Sequence, residues 1–276
     1  MGFRIVVCVK QVPETTEVEI DPETGTLKRE GVPAVLNPFD LHAIEEAVRI
    51  KERHGGTVTA VSMGPPQAES AVRDALALGC DEGVLLSDKM FAGADTLATS
   101  YTLAQAIRKL GGFDLIICGM KTTDGDTAQV GPELAEELGI PHVAYVNGIR
   151  ELTEDYMIVE KLVEDGFEII KVPLPCLITV TKGINEPRLP SLKAKLQARR
   201  GRITIWGSGD LAGDPSRYGL VGSPTQVVKV FDLVAARTGL REHEAATHGL
   251  RPASTLTVAD DHKRYYPLAR PIHIKV

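Results

Sequence analysis

Leu115, Ile116 and Ile117 follow one another with no polar residue between them, and residues 119–132 then change abruptly to glycine and small polar side chains. A strand that is apolar on both faces must be covered on both faces, which calls for a sheet with a layer of structure above and below it. The residues that follow, Glu133-Leu-Ala-Glu-Glu-Leu138, have a helical pattern and stop at Gly139-Ile-Pro141, a helix-ending signal. The unit is therefore strand, polar loop, helix. Such a loop leaves backbone N–H groups and the positive end of a helix dipole facing an incoming anion, and Asp126 or Thr127 is expected to cap the first turn. It has neither the Gly-Lys-Ser/Thr ending of a P-loop nor a Gly-x-Gly-x-x-Gly run. Its physics points to a phosphate but to no particular nucleotide, and an ordinary strand-to-helix turn with polar caps stays open at this stage.

Strand-like runs at residues 3–9, 57–63, 83–87, 113–118 and 143–149 alternate with helical patterns over 39–54, 67–78, 95–110 and 132–138. This alternation predicts an α/β fold of Rossmann-like type, a parallel sheet with helices on both faces. The first helix is the best marked. Asn37 is placed to cap it, Pro38 suits its first turn, Leu41, Ile44 and Val48 share one face, and Gly55-Gly56 follows its basic end. Two hairpins interrupt the pattern, one over 18–21 and 26–29, the other over 156–163 and 167–172 around Glu164-Asp165-Gly166. The second leads into 176–181, one more expected sheet strand. From about Lys182 the alternation fails and Gly, Pro and charge become frequent. The nucleotide-binding α/β domain is thus expected over residues 1–185, with residues 186–276 forming a loop and arm packed on a partner rather than an independent domain.

At 276 residues the chain can bury a sizeable core, and a net charge of −6 argues against general nucleic-acid binding. Cys8, Cys80, Cys118 and Cys176 are scattered singly, which suggests neither a disulfide framework nor a zinc site and fits a reducing cytoplasm. The apolar run at 5–9 is too short to span a membrane. His243, His248, His262 and His273 lack ligand spacing, so no metal is expected. Gly207-Ser-Gly-Asp-Leu-Ala-Gly213 superficially follows a dinucleotide-loop pattern, but its third glycine comes one residue late and Asp214-Pro215 stands where a helix should begin.

Six separated motifs occur in one order: Val9-Lys-Gln-Val-Pro13, Asn37-Pro-Phe39, Val61-Ser-Met-Gly-Pro65, Asp124-Gly-Asp-Thr-Ala-Gln-Val-Gly131, Asn185-Glu-Pro-Arg-Leu-Pro190 and Gly222-Ser-Pro-Thr225. Through them residues 3–232 closely resemble the beta subunit of electron-transfer flavoproteins. The resemblance implies an adenine-nucleotide site in the α/β domain and an alpha-subunit partner in a heterodimer. Its contacts, carried over motif by motif, are Cys8, Asn37, Pro38, Phe39, Asp40, Met63, Gly119, Thr122, Asp124, Gly125, Asp126, Thr127, Ala128, Gln129 and Val130. For Cys8 and Met63 the plain alternative is core packing. Leu189 aligns with the exposed leucine that anchors family members onto acyl-CoA dehydrogenases, in a loop shorter here than in housekeeping members, and an acyl-CoA dehydrogenase or quinone-reducing partner is expected. The basic run Lys193, Lys195, Arg199, Arg200 and Arg202 either steers an acidic partner or is a solvated face.

Housekeeping members carry three consecutive acids in the loop and hold AMP as a structural ligand. Here the middle position is Gly125, as in members that hold a second FAD, reduce it with NADH and bifurcate its electrons to the alpha-subunit FAD and to ferredoxin or flavodoxin. A glycine removes a charge and a side chain, so backbone can approach a diphosphate. In neither case need a side chain act as acid, base or nucleophile. A third reading, an ATP-cleaving enzyme or nucleotide sensor, lacks support in Lys10-Gln-Val-Pro13, where no Ser-Gly-Gly loop stands ready to grip a pyrophosphate.

Overall fold

In a computed structural model of the chain, residues 2–14 and 34–219 are described throughout, and beyond them only four strands. The apolar runs form strands β1 (Phe3–Cys8), β4 (Gly56–Met63), β5 (Glu82–Leu86), β6 (Leu115–Gly119), β7 (His142–Leu152) and β10 (Cys176–Val180). The periodic stretches form helices α1 (Pro38–His54), α2 (Glu69–Leu78), α3 (Thr96–Leu110) and α4 (Val130–Leu138). The expected second hairpin is present as β8 (Tyr156–Val163) and β9 (Gly166–Pro173), and β2 (Gln11–Pro13) pairs with β3 (Ala34–Leu36) in a small separate ladder. The hairpin expected over 18–21 and 26–29, Gly222-Ser-Pro-Thr225, and His243, His248 and His262 lie outside the described residues.

One nine-stranded sheet carries the fold, in the order β11-β5-β4-β1-β6-β10-β7-β8-β9, where β11 is Ile203–Trp206. The strands from β11 to β7 run parallel, and the hairpin extends β7 antiparallel. The uninterrupted apolar strands are filled on both sides. Ile5, Val7, Leu115 and Ile117 pack with Ala43, Ile44 and Ala47 of α1, whereas Val6 and Ile116 pack with Ala104 and Ile107 of α3 and Leu134 of α4. Each buried valine, leucine or isoleucine contributes roughly 1.5–3 kcal/mol, which holds the layers to the sheet. Gly131 lets α4 lie close to β10, since a Cβ there would stand 2.5 Å from Thr179 Cγ2.

The compact unit runs from Met1 to Val221, further than the boundary at 185 expected from the sequence. The basic stretch forms α5 (Leu192–Arg200), which buries Ala198 and is tied to α2 by Arg73, whose Nη1 donates to the carbonyls of Ala198 at 2.9 Å and Arg199 at 3.0 Å. α5 then delivers β11 beside β5, where four residues, three of them half-covered and Ile205 exposed, suffice for an edge strand. A 3-10 turn, Ser208–Asp210, follows β11 where a dinucleotide loop would need a helix. In the second unit, Gly222–Val276, β12 (Gln226–Val230) pairs with β13 (Leu233–Arg237) and β14 (Leu256–Asp260) with β15 (Pro271–Lys275), both antiparallel. Among the described residues no helix is long and apolar enough to cross a membrane.

Candidate functional site

From β1 the chain winds through β4 to β5 in one direction, then crosses to β6 on the other side of β1. Loops leaving the carboxyl ends of β1 and β6 therefore diverge and open a crevice, the place where open α/β sheets take ligands. Cys8 ends β1, Met63 ends β4 and Gly119 ends β6, so these three share one edge of the sheet with the Asn37–Asp40 helix start and the 119–130 loop. Sequence-predicted residues separated by more than a hundred positions are thus brought to one rim.

Asn37 and Asp40 bolt the rim together. Asn37 precedes Pro38 at the first turn of α1, but its side chain makes no helix cap, contrary to expectation. Its Nδ2 donates instead to Asp40 Oδ1 and to the Lys121 carbonyl, both at 2.9 Å. Its Oδ1 is fully buried without a partner among the described residues. Asp40 Oδ2 accepts from the Lys10 backbone N–H at 2.8 Å, and the Asn37 N–H donates to the Lys10 carbonyl at 2.9 Å. Burial pushes the Asp40 carboxyl up to about 7, against the opposing pull of the donors from Asn37, Lys10 and Gly119. Gly119 is needed here, because a Cβ would lie 2.3 Å from Asp40 Oδ1 and 2.9 Å from the Phe39 backbone. Phe39 is buried, with Lys182 Nζ 4.8 Å and Lys121 Nζ 5.8 Å from its ring centroid.

In the loop, α4 begins at Val130, and its N-cap is Gln129, which makes no side-chain cap. The expected capping by Asp126 or Thr127 is therefore absent. Both loop acids are turned to lysines: Asp124 takes Lys10 Nζ at 2.8 Å and Asp126 takes Lys121 Nζ at 2.5 Å. Burial alone would raise Asp124, but the Lys10 ammonium and the Thr122 hydroxyl hold its carboxyl below the usual range. Thr122 closes the turn, its carbonyl accepting from Asp126 N–H at 3.0 Å and its Oγ1 from Gly125 N–H at 3.3 Å.

Asp126 and Ala128 both adopt left-handed backbone, φ 52° and 55°, at a cost of about 1–3 kcal/mol each. Left-handed Ala128 followed by right-handed Gln129 makes successive N–H groups converge, as in an anion-binding nest. Among the described residues the N–H groups of Thr127, Ala128, Gln129 and Val130 meet no protein acceptor. Thr96, at the start of α3, holds the loop's far end through Gln129 Oε1 at 3.3 Å and Glu133 Oε1 at 3.1 Å. Cys8 and Cys118 are register partners on β1 and β6, and a hydrogen bond with Cys8, with burial second, raises the Cys118 thiol, so it is no nucleophile. The arrangement is suited to holding an anion rather than to proton transfer.

Sequence reasoning missed Lys10, Lys121 and Lys182. Lys10 stands in a motif read for the family resemblance and for the Ser-Gly-Gly it lacks, with no role given to the lysine, and its partner Asp124 is 114 positions away. In the segment that follows β10, Leu189 is 93% exposed, while its neighbours are fixed to α1. Arg188 pairs with Glu45 at 2.8 Å and Glu52 at 2.6 Å, and Asn185 Nδ2 donates to Glu46 Oε2 at 2.9 Å.

A family model described as the electron transfer flavoprotein domain matches residues 24–210. An electron transfer flavoprotein subunit beta from Thermoanaerobacterium thermosaccharolyticum is 53% identical over 238 residues, covering 86% of this chain and 91% of that protein. The caffeyl-CoA reductase-Etf complex subunit CarD of Acetobacterium woodii is 50% identical over 230 residues, 83% of this chain and 87% of its own length. Protein FixA of Azorhizobium caulinodans is 46% identical over 237 residues, 83% and 84% of the two chains. A domain match over most of the folded unit, near-full-length relatives, and an α/β crevice built from the motifs themselves agree: the chain belongs to the electron transfer flavoprotein family, among its beta subunits.

Proposed function

We propose that this beta subunit is of the electron-bifurcating type, holding an FAD of its own in the crevice and taking NADH as electron donor. Membership of the family makes it an electron-transfer subunit and implies an alpha-subunit partner. The observation that carries the finer reading is Gly125. Its φ is not positive, and a Cβ there would meet only Thr122 Oγ1 at 3.3 Å, so the backbone does not demand a glycine and a side chain would ask only a small shift of one hydroxyl. A requirement for room and low negative charge beside a diphosphate accounts for it.

The residues present fit such a group. The N–H groups of Thr127 to Val130 would hold the pyrophosphate, and the partnerless Asn37 Oδ1 would accept from a donor on the adenosine part. Pro38 and Phe39 would lie against the group, Asp40 fixes Asn37, and Gly119, having no Cβ, lets Asp40 and Phe39 pack close against the end of β6. Cys8 and Met63 close the sheet edge on either side of β1 and β4. Bound there, FAD supplies acceptance of a hydride from NADH and its delivery as single electrons, one to the alpha-subunit FAD and one to ferredoxin or flavodoxin. The protein's part is binding, orientation and exclusion of water.

Leu189 is proposed as the anchor for an acyl-CoA dehydrogenase or quinone-reducing partner, supported by its exposure on a braced loop and by a relative named for its complex with a caffeyl-CoA reductase. Residues 186–276 are proposed to face the partners, the alpha subunit included. Four unpaired thiols support a cytoplasmic location. The test is an anaerobic NADH titration of the alpha–beta complex followed by flavin absorbance: bleaching is expected. No bleaching would overturn the bifurcating reading and leave a carrier with AMP in the crevice.

A further inference from the structure

The crevice contains two ion pairs of the same design. Lys10 projects from the turn after β1 and Lys121 from the turn after β6, and each ammonium is held by an acid of the 124–126 loop, at 2.8 Å and 2.5 Å. The two turns leave neighbouring parallel strands, which lie about 4.8 Å apart. Both are fixed by one element, since Asn37 holds the Lys121 carbonyl and, together with Asp40, the Lys10 backbone. The main chains of the lysines are therefore rigidly placed, while their four-carbon stems are free to swing, which suits an ammonium to exchange one anion for another. The same loop supplies the N–H groups of residues 127–130 that meet no protein acceptor among the described residues, so the acids that hold the lysines and these amides belong to one loop.

Resting on the nucleotide reading above, we propose that Lys10 and Lys121 are a paired phosphate grip, held in reserve by Asp124 and Asp126, that selects diphosphate-bearing adenine nucleotides over monophosphates. An entering diphosphate takes both ammoniums from the carboxylates, whereas a monophosphate reaches one turn only. The asymmetry of the acids sets the order. The Asp126 side chain is 65% exposed and regains water easily when released, but that of Asp124 is 13% exposed and gives up Lys10 only to a stronger anion. Lys182, over Phe39 and with no carboxylate in ion-pair range among the described residues, keeps the crevice positive as the anion approaches.

The test uses the full-length chain stripped of nucleotide, with ADP, AMP and adenosine titrated calorimetrically at low salt, and circular dichroism to establish folding. Lys10→Met and Lys121→Met are expected to weaken ADP about tenfold or more, AMP by less than about threefold, and adenosine not at all. Asp124→Asn leaves Lys10 uncommitted and is expected to tighten ADP. Equal losses for all three ligands in the lysine variants would overturn the grip and leave the nucleotide site standing, as would loss of ADP affinity in Asp124→Asn as large as in Lys10→Met, because the ion pair would then be scaffold. Failure of the parent chain to bind any of the three would overturn the nucleotide site and the grip together.

Discussion

Asp40 stores a proton-linked cost in the middle of the crevice. Burial raises its folded value to about 7, against about 3.9 in an unfolded chain. The folded state thus binds this proton more tightly than the unfolded state, so the stability it contributes is fully present below about pH 4 and is lost as pH rises to about 7, a change on the order of 4 kcal/mol. Asp124, held low by Lys10 despite its burial, acts oppositely, and its contribution is lost only as pH falls below about 4. Urea unfolding of the nucleotide-free chain at pH 5 and pH 8 should show lower stability at pH 8, and Asp40→Asn should be less stable at pH 5 yet lose this slope. An unchanged slope would remove Asp40 as its source. At Gly125 the expectation concerns binding. Gly125→Asp should change stability by less than about 1 kcal/mol, because only the Thr122 hydroxyl, 3.3 Å from the new Cβ, must shift by a few tenths of an ångström, while lowering FAD retention by on the order of tenfold. The glycine was legible as a departure in charge. The Lys10–Asp124 pairing was not, since nothing local marks two residues that far apart in sequence as neighbours.

Elements were legible where burial is two-sided. The run Leu115-Ile-Ile117 has side chains in both core layers, and only a covered strand accommodates that pattern. β11 escaped notice because an edge strand of four residues buries too little to leave a pattern, and because the β8–β9 hairpin breaks the alternation before it. The start of α4 was misplaced because strained backbone, rather than a side-chain cap, turns the chain into the helix, and dihedral strain has no reliable signature in residue type. The Asn185-Glu-Pro-Arg-Leu-Pro190 loop behaves as an element too. Arg188 draws the Glu45 and Glu52 carboxyls together, its hydrogen bonds holding Glu52 below its usual value and lowering Glu45 against the effect of burial. Leu189→Ala should leave the melting temperature within about 1 °C and reduce electron transfer to the dehydrogenase partner about tenfold or more. Arg188→Ala should do both, weakening transfer and costing about 1–3 kcal/mol. Unimpaired transfer in Leu189→Ala would exclude the leucine as anchor.

For the whole molecule, the order of nine strands explains why the motifs are so dispersed. The crossing from β5 to β6 places residues from the first turn, the first helix and the 119–130 loop on one rim, which brings three distant segments together. Family and fold agree with that arrangement, and the relatives extend over most of the chain. The bifurcating assignment stands or falls on what the rim holds. The most direct test is to co-express the chain with its alpha subunit, release the nucleotides with acid and quantify FAD and AMP per heterodimer by chromatography. Two FAD and no AMP are predicted; one FAD with one AMP would contradict the account.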